Sequence, residues 1–157
     1  MVATPLCFAV LQTGYSSEYT ESKYGGYAKM LENMLKDPEE VWDIFKVIDG
    51  NFPSLEELDM YDGVVITGSS SDAHGNEEWI LKLCDILKCL YDKKKKILGI
   101  CFGHQVLSRA LGGRTGRSSV GWEVGLKEIQ LNTDRVQKLY GLKPPSVLKT
   151  IESHQDQ

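Results

Sequence analysis

The chain has 157 residues, a formal charge of −4, 41% hydrophobic and 25% charged residues. That composition suits one globular domain over 1–157 with a sizeable core, and it excludes a disordered or collagen-like chain. No basic stripe with interleaved aromatics is present, no apolar run approaches a membrane span, and Met1-Val2-Ala3-Thr4-Pro5 lacks a signal-type block, so neither nucleic acid nor membrane is expected as a partner.

Leu6–Leu11 is short, continuous and apolar, which predicts a buried strand, and a polar loop follows through Ser22. Helical spacing of Tyr27, Met30, Leu31, Met34 and Leu35 predicts a helix over 26–36, ended by Asp37-Pro38. Trp42–Ile48 reads as a second strand, and Ser54-Leu55-Glu56-Glu57-Leu58 as a short helix opened by a capping box. Asp62–Thr67 is a third strand running into the small-residue loop Gly68-Ser69-Ser70-Ser71-Asp72. Over 77–91 an amphipathic helix turns Ile80, Leu81, Leu83, Cys84, Leu87 and Leu90 toward a core. The basic run Lys93–Lys96 is a solvated turn before a fourth strand, Ile97–Ile100. Gln105–Leu111 is a helix stopped by Gly112-Gly113. Beyond it, strand character over 121–131, a short helix over 134–140, a turn at Lys143-Pro144-Pro145-Ser146 and a strand over 147–151 complete the chain. The alternation of strands and helices up to Gly113 predicts an α/β fold with a doubly wound, mostly parallel sheet.

The segment Gly99-Ile100-Cys101-Phe102-Gly103 joins a strand to a helix. This is the layout of a nucleophile elbow, with cysteine where hydrolases of another family carry serine. Glycines at 99 and 103 remove side chains that would clash across a sharp turn. The helix N-terminus favours a thiolate at Cys101, and the N–H of Phe102 faces a carbonyl under attack. The plain alternative is a buried structural cysteine. Ligands of a doubly wound sheet sit beyond the carboxyl ends of its strands. If the third and fourth strands are neighbours, Gly68 or Ser69 supplies a second oxyanion N–H; otherwise Gly68 is a turn glycine. A cysteine nucleophile needs a histidine base held by a carboxylate or amide, and none of His74, His104 and His154 has an evident setting of that kind. The other cysteines, Cys7, Cys84 and Cys89, read as packing residues, with no Cys-x-x-Cys pair and no zinc-like His/Cys cluster. Reduced thiols fit a cytosolic location.

The elbow Gly99–Gln105 and the loop Asp62-Gly63-Val64-Val65-Ile66-Thr67-Gly68-Ser69 resemble the class I glutamine amidotransferases. Within that superfamily, Tyr24-Gly25-Gly26-Tyr27, Asp72-Ala73, Trp79–Ile86, Lys94–Gln105 and His154-Gln155-Asp156 look like the plant gamma-glutamyl peptidases, relatives of the glutaminase domain of GMP synthase. The resemblance implies a flavodoxin-like fold, Cys101 as the nucleophile toward a gamma-glutamyl amide, an oxyanion hole of Phe102 with Gly68 or Ser69, and Gln105 holding the glutamyl group. It implies no cofactor and no metal. It aligns His154 with a His-Gln-Asp element upstream of the family's catalytic His-Pro-Glu, so the expectation is a C-terminally truncated chain without that His and Glu. The implied substrate is a small gamma-glutamyl molecule, such as a glutathione conjugate of plant sulfur and glucosinolate metabolism in the cytosol. Two other readings stay open: an inactive pseudoenzyme or binding fragment, and a glutaminase supplying ammonia to a synthase. Trp122 and Glu123 are candidates to line the leaving-group pocket, or are ordinary hairpin residues.

Overall fold

The computed structural model describes residues 4–156. The chain divides into two compact units, Met1–Gly116 and Arg117–Gln157.

In the first unit, four parallel strands form one sheet in the order β2-β1-β3-β4. They are β1 (Cys7–Gln12), β2 (Val41–Lys46), β3 (Gly63–Ile66) and β4 (Lys96–Gly99). The inner strand β3 is buried throughout, as is the C-terminal part of β1, while β2 and β4 at the edges alternate toward solvent. That difference explains why the inner strands read as continuous apolar runs. The chain leaves β1 toward β2 on one side and β3 toward β4 on the other. A crevice therefore opens beyond the carboxyl ends of β1 and β3, where the winding reverses.

Helices α1 (Glu18–Tyr24) and α2 (Tyr27–Leu35) connect β1 to β2. The sequence reading expects a loop where α1 stands, because only Thr20 of that helix is buried and no apolar stripe marks it. Its signals are at the ends: the Ser17 side chain accepts from the Thr20 N–H, and Gly25 closes it in the left-handed conformation. The apolar stripe expected on α2 is also displaced, since Ala28 and Glu32 are its buried residues and Met34 is exposed. Burial opposes ionisation of Glu32, but hydrogen bonds from Lys29 (2.7 Å) and Lys36 (3.2 Å) outweigh it and hold the carboxyl below its ordinary range.

The short α3 (Leu55–Asp59) carries the capping box in full, with Ser54 and Glu57 exchanging side-chain-to-backbone hydrogen bonds. Helix α4 (Glu78–Asp92) buries Ile80, Leu83, Cys84, Ile86, Leu87 and Leu90 against Ala9, Leu11, Val64, Ile66 and Phe102. Leu81, expected inward, is instead 43% exposed and lines an open groove with Cys84, Asp85 and Lys88 against Arg109 and Ala110. It sits at the margin of the stripe, and Ile86 fills the core place. Helix α5 (Phe102–Ala110) begins directly after Cys101, earlier than the expected Gln105.

The second unit pairs β5 (Glu123–Gln130) with β6 (Val147–His154) antiparallel, joined through α6 (Thr133–Tyr140). β6 runs three residues beyond the expected Ile151, so His154 belongs to the ladder opposite Glu123. One face carries Val124, Leu126 and Ile151, all well exposed.

Two outcomes follow from this packing. Leu87→Ala, at a fully buried position, lowers stability by about 2–5 kcal/mol in urea unfolding, while Leu81→Ala stays within about 1 kcal/mol. Tyr61 is buried and its hydroxyl donates to Asp43 (2.9 Å); burial first, then that bond, raises it from 10.0 to about 12. The folded state keeps the phenol proton where the unfolded chain loses it, so stability present below pH 10.0 falls as the pH rises toward about 12. Tyr61→Phe flattens that part of the stability profile measured by urea midpoints.

Candidate active site

The carboxyl ends of β1, β3 and β4 bring three short segments together. Parallel register pairs Ile66 with Gly99 and Leu11 with Ile66. Beyond the register, Ile100 N–H donates to Ile66 O (3.1 Å) and Thr67 N–H to Leu11 O (3.1 Å), extending the ladder into the loops.

At the end of β4 the chain reverses within two residues. Cys101 has φ 52° and ψ −111°, a left-handed backbone rare for a residue with a side chain. Such conformations cost about 1–3 kcal/mol and persist only where their surroundings over-determine them. Here the surroundings are two glycines. A Cβ on Gly99 would lie 2.5 Å from Gly103 O and 2.6 Å from His104 N, and one on Gly103 would lie 2.5 Å from Ile66 O. Only glycine lets the first turn of α5 press on β3 and β4 so closely. The elbow is fixed by Gly103 N–H donating to Ile100 O (2.9 Å) and Gln105 N–H to Cys101 O (3.1 Å). Phe102 is fully buried and stacks on Trp79 (5.6 Å between centroids), anchoring the helix start in the core. Cys101 is exposed, so the plain alternative of an entombed packing cysteine does not apply.

Gly68 lies beside the nucleophile candidate: a Cβ there would stand 3.6 Å from Cys101 Cβ. Any larger residue would put side-chain atoms against the thiol-bearing carbon. Ser69 Oγ accepts from Ser71 N–H (3.1 Å), which curls the loop just after it. Gln105 is buried one turn into α5. The elements thus bring Cys101, the backbone start of α5 and Gly68-Ser69 to one end of the sheet, an arrangement suited to attack by sulfur on a carbonyl whose oxygen accepts backbone N–H groups.

The sequence reading did not single out the residues that hold this loop. Thr13 Oγ1 donates to Thr67 O (2.8 Å), and Thr13 N–H donates to Thr67 Oγ1 (3.0 Å), all buried. Gly14 packs on the same loop, where a Cβ would meet Gly68 O at 3.0 Å and Ser69 Cα at 3.1 Å. The signal in the sequence is Thr13-Gly14 after β1 and Thr67-Gly68 after β3, the same pair at both ends of the crevice.

The three histidines separate. His104 is exposed on α5. His74 lies in the loop after β3, with Nε2 3.9 Å from Asp72 and a buried Nδ1 that has no hydrogen-bond partner among the described residues. In the second unit, His154 Nε2 is 3.3 Å from Glu152 Oε2 and Nδ1 is 3.0 Å from Asp156 O. β6 extends far enough to place His154 two residues from Glu152 on one strand face. Glu123, Glu152 and His154 have the spacing a divalent ion could use, with Lys127 Nζ 4.0 Å from Glu123 as a cation already at hand. Trp122 stands exposed before β5 and Glu123 is half-buried at its start.

The description Glutamine amidotransferase class-I matches residues 24–157. The chain belongs to this family. It is 45% identical over 152 residues to gamma-glutamyl peptidase 5 of Arabidopsis thaliana, covering 96% of this chain and 61% of that protein. Gamma-glutamyl peptidase 3 of the same plant is 43% identical over 154 residues, with 96% and 61% covered. The chain thus spans about three fifths of the length of the curated relatives it matches. A glutamine amidotransferase crystal structure from Thermotoga maritima superposes with a TM-score of 0.71 at 21% identity, covering 99% of this chain and 62% of that one. That likeness bears on the fold, and it confirms the mostly parallel sheet with flanking helices of the class-I amidotransferases. Among the described residues, no helix is long and apolar enough to cross a membrane.

Gly103 of the elbow supplies a direct test, with Gly116 as the control. Gly103→Ala, with a Cβ driven against Ile66, lowers stability by about 1–3 kcal/mol and changes the alkylation rate of Cys101 by iodoacetamide. Gly116→Ala, whose Cβ meets nothing within 4 Å, leaves both as they are; urea midpoints and mass spectrometry of the labelled thiol read the difference.

Proposed function

We propose that this chain carries the nucleophile half of a gamma-glutamyl peptidase or glutaminase-like cysteine hydrolase. The observation that carries the reading is the strained, exposed Cys101 between β4 and α5 with Gly68 against its Cβ. Family membership and the names of the Arabidopsis relatives supply the acyl group.

In this mechanism, Cys101 Sγ attacks the γ-carbonyl carbon of a gamma-glutamyl amide. The carbonyl oxygen becomes an oxyanion that accepts hydrogen bonds from the Phe102 N–H and from the Gly68 or Ser69 N–H. Collapse of the tetrahedral intermediate breaks the C–N bond, and the departing amine takes up the proton the thiol gave away. Water then attacks the thioester, releases glutamate and returns the thiol. Gln105 helps to hold the glutamyl group. The reading assigns no histidine and requires no cofactor or metal. We place the reaction in the cytosol, where the unpaired cysteines stay reduced, and take a glutathione conjugate as the substrate.

The test is glutamate release from a gamma-glutamyl dipeptide, a glutathione conjugate and free glutamine, together with mass analysis of Cys101 for an acyl adduct. The expected result is release or adduct formation favouring the first two substrates, reduced at least about a thousandfold in Cys101→Ala. Preference for free glutamine points instead to an ammonia-supplying glutaminase. Neither glutamate nor adduct, or equal rates with and without the thiol, overturns the hydrolase reading in favour of a binding fragment.

A further inference from the structure

Arg109 stands in the last turn of α5, the helix whose first residue follows Cys101. Its half-buried side chain ends on the loop after β3. Nη1 donates to the backbone carbonyl of Ala73 (2.9 Å) and to that of Gly75, and Nη2 donates to Asn76 Oδ1 (3.2 Å). These three acceptors lie at the far end of the loop that begins with Gly68 and Ser69. The loop is built from small and polar residues, Gly68-Ser69-Ser70-Ser71-Asp72-Ala73-His74-Gly75-Asn76, which by themselves favour many conformations. Its near end is fixed by Thr13 and Thr67. Within it, Gly75 N–H donates to Asp72 O (2.9 Å) to close a turn, and Ala73 is fully buried. At the far end the Arg109 guanidinium adds hydrogen bonds to Ala73, Gly75 and Asn76.

We infer that Arg109 is a positioning residue of the Cys101 centre: it fastens the loop bearing the Gly68 and Ser69 amides to the same rigid helix that presents the thiol. The inference rests on the proposed hydrolase reading. A guanidinium suits the task, because its planar fork serves two carbonyls and an amide oxygen together and it stays charged at every working pH. A lysine in its place offers a point charge that cannot span all three acceptors. The loop and the elbow must keep their separation to within about an ångström for two N–H groups to meet one oxygen, and losses of about a hundredfold attend a misplacement of that size. Arg109 touches neither substrate nor the reacting atoms in this scheme, so its effect passes through the loop.

Two electrophiles test this on the 157-residue chain. A chloromethyl ketone analogue of glutamine alkylates Cys101 when its carbonyl occupies the oxyanion site; the sulfur–carbon bond forms, the carbon–chlorine bond breaks and chloride leaves. Iodoacetamide alkylates the thiol with no such requirement. Arg109→Ala and Arg109→Gln are expected to slow the maximal chloroketone rate by about tenfold to a hundredfold, with half-saturation and the iodoacetamide rate changed by less than about twofold, and Arg109→Lys is expected to recover part of the loss. Amide hydrogen exchange over 68–76 rises in the variants and melting temperature controls for global unfolding. Should Arg109→Ala fail to fold, Arg109→Lys and Arg109→Gln carry the comparison. Variants with the wild-type chloroketone rate, or with both electrophiles slowed alike, overturn the positioning role. A wild-type chain whose chloroketone labelling is unsaturable and unselective for Cys101 overturns the hydrolase reading on which it rests.

Discussion

The close approach of α5 to β3, with backbone on backbone at Gly99 and Gly103, is the constraint from which the site follows. A Cβ at either position would collide with main-chain atoms rather than with a side chain that could move aside. With both glycines in place, the chain leaves β4 and enters a helix within two residues. The residue at the bend must then accept a left-handed backbone. The strain is balanced by the burial of Phe102 and its stacking on Trp79, which pin the far side of the bend in the core. The thiol is left pointing away from that core.

A second constraint shapes the other wall of the site. The loop after β3 is made of residues too small to pack themselves, so its shape comes from what surrounds it. Thr13 and Gly14, at the end of β1, fit against Thr67, Gly68 and Ser69. Arg109 reaches the same loop from the helix behind the elbow. Both supports come from elements that are distant in sequence and adjacent in the parallel sheet. Strand order and register therefore matter here: with β1, β3 and β4 side by side and in step, the segments that follow them come together at one end of the sheet.

The second unit, Arg117–Gln157, has a different character. Its two-stranded ladder carries exposed apolar side chains on one face and, on the other, Glu123, Glu152 and His154 gathered by cross-strand pairing. A two-stranded sheet has too little apolar area to be stable by itself without a face covered by other structure.

The glycine spacing, the apolar runs of β1, β3 and β4, the capping box of α3 and the stripe of α4 were legible in the amino-acid order, because each rests on local sterics or a simple period. The elbow belongs to that group, since a Gly-x-Cys-x-Gly turn after a short apolar strand is a local requirement. The helix α1, the inward turn of Glu32 on α2 and the outward turn of Leu81 on α4 were not legible, because tertiary neighbours decided them: a capped polar helix, two lysines flanking a carboxylate and a groove beside Arg109. The pairing of His154 with Glu152 waited on the length of β6. What residue order alone determined is the doubly wound sheet and the bend at Cys101, both written in short-range geometry. What only the tertiary structure decided is how the loop beside that thiol is held, because Thr13 and Gly14 meet Thr67, Gly68 and Ser69, and Arg109 meets Ala73, Gly75 and Asn76, only through strand pairing and helix packing between segments far apart in the chain.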